Sequence, residues 1–188
     1  GAGASRSAGV PAAPELVEKI NKEFKHCLNQ LTPDERKDYG KVMGALSPEN
    51  RKSLIEPILQ SSLINWGHIA LACIIRSTNV RRILTFNFDL ILERSASLLG
   101  MHLPVYDFAV APTRDISGLA APAIFHLHGQ SYGLRQKNSD KETTEHREAL
   151  RPLLADSLRN HLTIIIGYSG EADPALAVMT EEFNSQND

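Results

Sequence analysis

The sequence predicts a doubly wound α/β domain, a mostly parallel sheet with helices on both faces, and three observations lead there. First, short apolar runs alternate with helical stretches in the second half of the chain: Arg82-Ile83-Leu84, Ala123-Ile124-Phe125 and Thr163-Ile164-Ile165-Ile166. Strands separated by helices call for right-handed crossovers and a parallel sheet. Second, the runs end in polar or glycine residues, and open parallel sheets bind ligands beyond the carboxyl ends of their strands. Third, 188 residues with 42% apolar and 22% charged composition describe one ordered domain, large enough to bury about two-thirds of its unfolded surface.

Helices come first along the chain. From Pro14 to Leu31, Val17, Ile20, Phe24, Leu28 and Leu31 recur at helical spacing. Thr32-Pro33-Asp34-Glu35 restarts a helix with a Thr cap, a Pro in the first turn and a Glu three residues after the cap. Ser47-Pro48-Glu49 repeats that signal, and Pro57 interrupts the helix it would start. A helix is expected from about Leu63 to Arg76, so residues 13 to 77 read as helical, with a compact helical insert at about 32–62. Arg82 to Phe88 reads as a buried strand, Asp89 caps a helix from Leu90 to Leu99, and Gly100 ends it. A short strand is expected at Pro104 to Tyr106 and another at Ala123 to His128, stopped by Gly129. Gln130 to Glu145 reads as a loop, followed by a helix to about Arg159. Thr163 to Ile166 is the last expected strand, and Asp173-Pro174 starts a last helix.

Composition excludes several classes. The net charge of −2 disfavours a general electrostatic grip on nucleic acid or an anionic membrane. No apolar run approaches the roughly 18 residues of a membrane helix. Two cysteines, Cys27 and Cys73, make neither a disulfide framework nor a four-thiolate zinc site, and the expected setting is a reducing cytoplasm. The chain opens on a glycine-rich turn of the kind that normally succeeds a buried strand. It is therefore expected to be one domain over residues 1–188, cut from a longer protein at both ends and lacking its first strand.

The strand ends carry the chemistry. In Gly1-Ala2-Gly3-Ala4-Ser5, with Gly9 beyond, glycines let backbone amides approach a phosphate at a helix N-terminus. In Thr85-Phe86-Asn87-Phe88-Asp89, alternation puts Thr85, Asn87 and Asp89 on one face. Three polar groups at the end of a buried strand need partners. The structural alternative is that Asp89 caps a helix while Asn87 bonds a neighbouring loop. In His126-Leu127-His128-Gly129, His126 reads as a satisfied core residue and His128, at the rim, as the acid–base candidate. A metal pair on these histidines is disfavoured because no second ligand cluster accompanies them. Gly167-Tyr168-Ser169-Gly170 fits a ligand's ribose or phosphate, or an ordinary tight turn.

Taken in order, the four segments resemble the sirtuin-like NAD-binding domain. Gly1-Ala2-Gly3-Ala4-Ser5 with Gly9-Val10-Pro11 looks like the family's opening loop, Thr85 to Asp89 like its T-x-N-x-D segment, His128-Gly129 like its H-G pair, and Gly167-Tyr168-Ser169 like its G-x-S segment. The departures select a branch. Sirtuin deacylases carry a zinc ribbon with two C-x-x-C pairs, which two isolated cysteines cannot supply, and an Asp-Phe-Arg where this chain has Ala12-Ala13-Pro14. What remains is similar to the zinc-free branch found as NAD-hydrolysing effector domains of bacterial anti-phage defence proteins.

The resemblance implies a Rossmann-like fold and an NAD glycohydrolase that cleaves the nicotinamide–ribose bond to give nicotinamide and ADP-ribose without a metal. It implies catalytic roles for Asn87, which would hold the ribose and orient a water, and for His128, as general base on a ribose hydroxyl. It places Ala2, Gly3 and Ser5 at the diphosphate, Gly167 and Ser169 on the adenosine side, and Asp89 at the carboxamide or behind the loop. NAD is the substrate, and fused C-terminal domains and homo-oligomerisation through the longer protein are expected. The competing readings are a module that senses NAD or ADP-ribose without turnover and, disfavoured by the missing ribbon, a protein deacylase.

Overall fold

The computed structural model describes residues 1–130, 139–159, 161–170 and 175–184. The first part of the chain is helical. Helix α1 spans Ala13–Glu23, opened by Pro14 and by the Ala12 N–H, which donates to the Glu15 carboxylate at 2.7 Å. Its apolar stripe continues past Phe24 only as a tighter 3-10 turn over Lys25–Leu28, so the helix expected to run to Leu31 is shorter. Thr32 and Glu35 form reciprocal cap bonds but start only one turn, Glu35–Lys37. Helix α2, Tyr39–Ala45, begins instead at Asp38, whose carboxylate accepts the Lys41 N–H.

Ser47 caps α3, Pro48–Ser61. Pro57 does not end α3. It removes one donor, and the buried Leu54 and Ile55 hold the helix across the gap. Leu16, Val17, Ile20, Leu28, Val42, Met43, Leu46, Leu54 and Ile55 form one small core, which joins α1 to α2 and α3. Helix α4, Trp66–Ser77, starts at Asn65, whose side-chain oxygen accepts the His68 N–H.

The sheet has three parallel strands, β1 (Arg82–Thr85), β2 (Val105–Asp107) and β3 (Ala123–His126), in the order β1-β3-β2. Helix α5, Ile91–Leu98, follows β1. Helices α6, Asp140–Leu158, and α7, Ala175–Asn184, follow β3. All four β3 residues are fully buried, as a central strand requires. Alternation sorts the faces. Ala123, Phe125 and Leu127 pack with Leu150, Leu153, Leu154 and Leu158 of α6 and Val178 of α7. Ile124 packs on the other side with Ile75 of α4 and Leu92 of α5. The fold is Rossmann-like α/β.

Several boundaries differ from the sequence expectation. β1 stops at Thr85 rather than Phe88, and β3 at His126 rather than His128. The last rung between them is the Leu127 N–H donating to the Thr85 carbonyl at 2.9 Å. Residues 86–89 and 127–129 thus leave the ladder and become free to make side-chain contacts. Residues 163–166 form no strand. No described strand lies against them, and an apolar run without a neighbour to accept its N–H groups makes no ladder; Ile164, Ile165 and Ile166 stay exposed. Helix α6 starts at Asp140, inside the expected loop, because Ser139 and Glu142 form a capping box. Asp173 lies outside the described residues. Among the described residues, no single helix is long and apolar enough to cross a membrane.

Candidate active site

The four motif segments meet at the carboxyl end of β1 and β3. Ala2–Ala8 winds into a 3-10 turn, ended by Gly9 in the left-handed conformation (φ 90°). This turn lies against Gly167, with the Gly3 N–H donating to the Gly167 carbonyl at 2.9 Å and the Gly1 nitrogen donating to the Ile166 carbonyl at 2.9 Å. The approach requires glycine. Gly167 has φ 61°, and a Cβ there would stand 2.3 Å from the Ala4 nitrogen. Gly3 thus spends its N–H on the neighbouring turn, not on an outward ligand.

Ser5, expected on the ligand, is fully buried. Its hydroxyl donates to Asp89 Oδ2 at 2.8 Å and accepts from Asn87 Nδ2 at 2.9 Å. The second Nδ2 hydrogen reaches the Gly1 carbonyl at 3.2 Å. Asp89 Oδ1 accepts the N–H of Ile91, the first residue of α5, at 3.2 Å, although Leu90 and not Asp89 holds the N-cap position. Of the structural alternative weighed for this segment, Asn87 does bond a loop, while Asp89 bonds the first N–H of α5 from one residue before the N-cap Leu90. The Asn87 contact defines the site further, because that loop is the glycine-rich one. With both amide hydrogens of Asn87 committed, its Oδ1 is the atom left for a water or a ribose hydroxyl.

His128 is 6% exposed, not an open rim residue. Its ring meets Phe86 edge-on, with centroids 4.9 Å apart. Tyr168 also stacks on Phe86, with centroids 4.6 Å apart and rings 11° from parallel. Phe86 therefore ties the H-G pair to the G-x-S turn. Gly167 and Ser169 are exposed beside it, and Ala2 and Gly3 are exposed on the opening turn.

A further support comes from α4. Asn65 Nδ2 donates to the Ala4 carbonyl at 2.8 Å and to the Ser7 hydroxyl at 3.0 Å. His68 Nδ1 donates to Asn65 Oδ1 at 2.8 Å. Burial lowers the His68 pKa, against the opposing charge of Asp89, which keeps the ring neutral. Sequence reasoning placed no function on Asn65, His68, Phe86 or Tyr168. Only the position of Asn65 before an apolar helix carried a signal, as a cap. Among the described residues, no group of three His, Cys, Asp or Glu side chains is placed to hold a metal ion.

A parallel α/β sheet with glycine turns, a buried Asn–Ser–Asp network and a histidine gathered at its carboxyl edge is the arrangement at which open α/β sheets bind their ligands. Residues 81–188, more than half of the chain, match the family model of the SIR2-like domain. The chain belongs to that family, whose members bind NAD. No curated protein matches the chain.

Proposed function

We propose that this domain hydrolyses NAD at the nicotinamide–ribose bond and serves as the effector of a longer defence protein. One observation carries the reading: Asn87 and His128 follow different strands, Asn87 holds the opening glycine turn through Ser5 and Gly1, His128 meets the second turn through Phe86 and Tyr168, and the two turns bond each other through the Gly3 N–H and the Gly167 carbonyl.

The reaction consumes NAD and water and yields nicotinamide, ADP-ribose and a proton. As the glycosidic bond breaks, its electron pair leaves with nicotinamide, which departs neutral, and positive charge develops on the ribose carbon. Little acid catalysis of departure is needed. The protein must place a water and take up its proton. Asn87 Oδ1 accepts a hydrogen from that water and orients it. His128 takes a proton through the ribose hydroxyl as general base. Ser5 and Asp89 hold Asn87 and the opening loop, which supports a role for Asp89 behind the loop over one at the carboxamide. Ala2 and Gly3 lie along the diphosphate, Gly167 and Ser169 along the adenosine side. The step uses no metal.

The test is hydrolysis of a fluorogenic etheno-NAD by the protein and its variants. Asn87→Ala and His128→Ala are each expected to lower turnover about 100-fold, the scale of a positioned acid–base group. Near-wild-type turnover in either variant refutes the assignment. NAD-dependent thermal stabilisation without turnover in the wild type replaces hydrolysis with the sensing module.

A further inference from the structure

Behind Asn87 lies a charged pair that the proposed chemistry does not use. His126 closes β3 and is fully buried. Its Nδ1 lies 2.9 Å from the Asn87 carbonyl oxygen. Its Nε2 lies 2.5 Å from Glu93 Oε1, on α5. A carbonyl oxygen only accepts, so Nδ1 bears a hydrogen. An ionised carboxylate also only accepts, so Nε2 bears one too. Both nitrogens donate, and the ring is an imidazolium held by its carboxylate partner.

The surroundings agree with that charge state. Burial opposes it, but the Glu93 hydrogen bond and charge, the Asn87 carbonyl and the charge of Asp107 on β2 outweigh burial and raise the His126 pKa above the usual value. His68 on α4 feels Glu93 and Asp89, yet burial lowers its pKa, so it brings no second cation to Glu93.

We propose that His126, held in place by Glu93, is a positioning residue for Asn87. The bonds run without interruption from Glu93 to His126, to the Asn87 carbonyl, and from the Asn87 amide through Ser5 to Asp89. The Asn87 peptide is held by His126 at the end of β3 while its side chain is held from the opening loop. The inference rests on the reading of Asn87 as the residue that orients the water.

The pair makes a specific demand on pH. When His126 loses a proton, one hydrogen remains for two acceptors. With that hydrogen on Nδ1, the Nε2 lone pair would face a carboxylate at 2.5 Å. The hydrogen therefore moves to Nε2, and the Asn87 carbonyl loses its donor. Turnover should fall on the alkaline side with the His126 proton, while KM for NAD changes little. Glu93→Gln changes the logic. Its amide N–H donates to Nε2, so a neutral ring keeps its hydrogen on Nδ1 and its bond to Asn87.

The experiment measures kcat and KM for etheno-NAD against pH in the wild type, Glu93→Gln and His126→Phe, with the histidine ring signals of the same proteins read by nitrogen-15 NMR. His126→Phe should lower kcat about 10-fold or more, the cost of a buried carbonyl left without its donor, with KM within a factor of about 2. Glu93→Gln should lower kcat less and flatten the alkaline limb. In the ring spectrum, His126 should be doubly protonated at neutral pH in the wild type, and neutral with hydrogen on Nδ1 in Glu93→Gln. A wild-type ring with hydrogen on Nε2 alone, an unmoved alkaline limb in Glu93→Gln, or equal losses in kcat, KM and melting temperature overturns the positioning role. If His126→Phe does not fold, Glu93→Gln and the ring spectrum decide. If the wild type turns over no NAD, the hydrolysis reading falls by itself. The pair is then judged by its ring spectrum and by whether Glu93→Gln shifts the Asn87 side-chain amide signals.

Discussion

Replacing Gly167 by alanine tests the contact that assembles the site. Two costs are expected. Gly167 sits at φ 61°, and an alanine there costs about 1 kcal/mol for the left-handed backbone. The added Cβ would also stand 2.3 Å from the Ala4 nitrogen and 2.9 Å from the Gly3 carbonyl carbon. Those are backbone atoms, so the opening turn must move, and the 2.9 Å bond from the Gly3 N–H to the Gly167 carbonyl is lost with it. Overpacking at about 1–3 kcal/mol and the hydrogen bond at about 1 kcal/mol bring the total to about 3–5 kcal/mol. Gly9 supplies the control. Its φ is 90°, but a Cβ there meets nothing within 4 Å, so Gly9→Ala should cost the backbone alone, about 1 kcal/mol. In thermal unfolding, Gly9→Ala should lower Tm by about 2–4 °C and Gly167→Ala by about 6–20 °C for a chain of this size. NAD-dependent stabilisation should survive in Gly9→Ala and vanish in Gly167→Ala. Equal Tm losses, or intact NAD stabilisation in Gly167→Ala, would refute the packing of the two turns.

Two further expectations concern other parts of the molecule. Arg51 on α3 reaches both Glu142 oxygens, at 2.9 and 3.0 Å, and ties the small helical core to α6. Burial raises the Glu142 pKa, but the bonds from Ser139 and Arg51 outweigh it and leave it below the usual 4.5. This carboxylate therefore stabilises the fold at and above about pH 5, and that contribution disappears as pH falls through the lowered value. Arg51→Ala should cost about 1–2 kcal/mol near neutral pH; a melting-temperature gap to the wild type that stays constant down to about pH 3 would contradict this. Separately, EDTA should leave NAD turnover unchanged, since the proposed step routes no proton or charge through a metal. Loss of turnover restored by zinc would bring back a metal role for His126 and His128.

The share of this protein legible in its sequence is local in origin. Periodicity placed α1 and α4, because the 3.6-residue stripe is written in consecutive side chains. Cap chemistry placed the start of α3 at Ser47, and the Asp89 and Gly100 signals bracketed α5 to within two residues, because such local bonds span only two or three residues. Strand-end polarity singled out Asn87, Asp89 and His128, because polar groups inside a buried sheet need partners wherever those partners lie. His126 read as a satisfied core residue on the same ground. What the sequence could not provide is the identity of partners distant along the chain. Ser5 meets Asp89 across a separation of 84 residues, Glu93 meets His126 across 33, and Phe86 joins His128 to Tyr168. Nothing in the local pattern of any of these residues encodes the other. The same limit governs the boundaries. Pro57 signals a break, yet α3 continues because Leu54 and Ile55 are buried against other helices. Residues 163–166 have every local mark of a strand, yet form none, because a strand exists only by bonding to a neighbour. By itself, then, the sequence determined the fold class, most helix starts and which polar residues needed partners, all effects of short range. The tertiary structure alone decided which partners they found, and so turned a loop serine, a core histidine and an unremarked phenylalanine into the frame of the site.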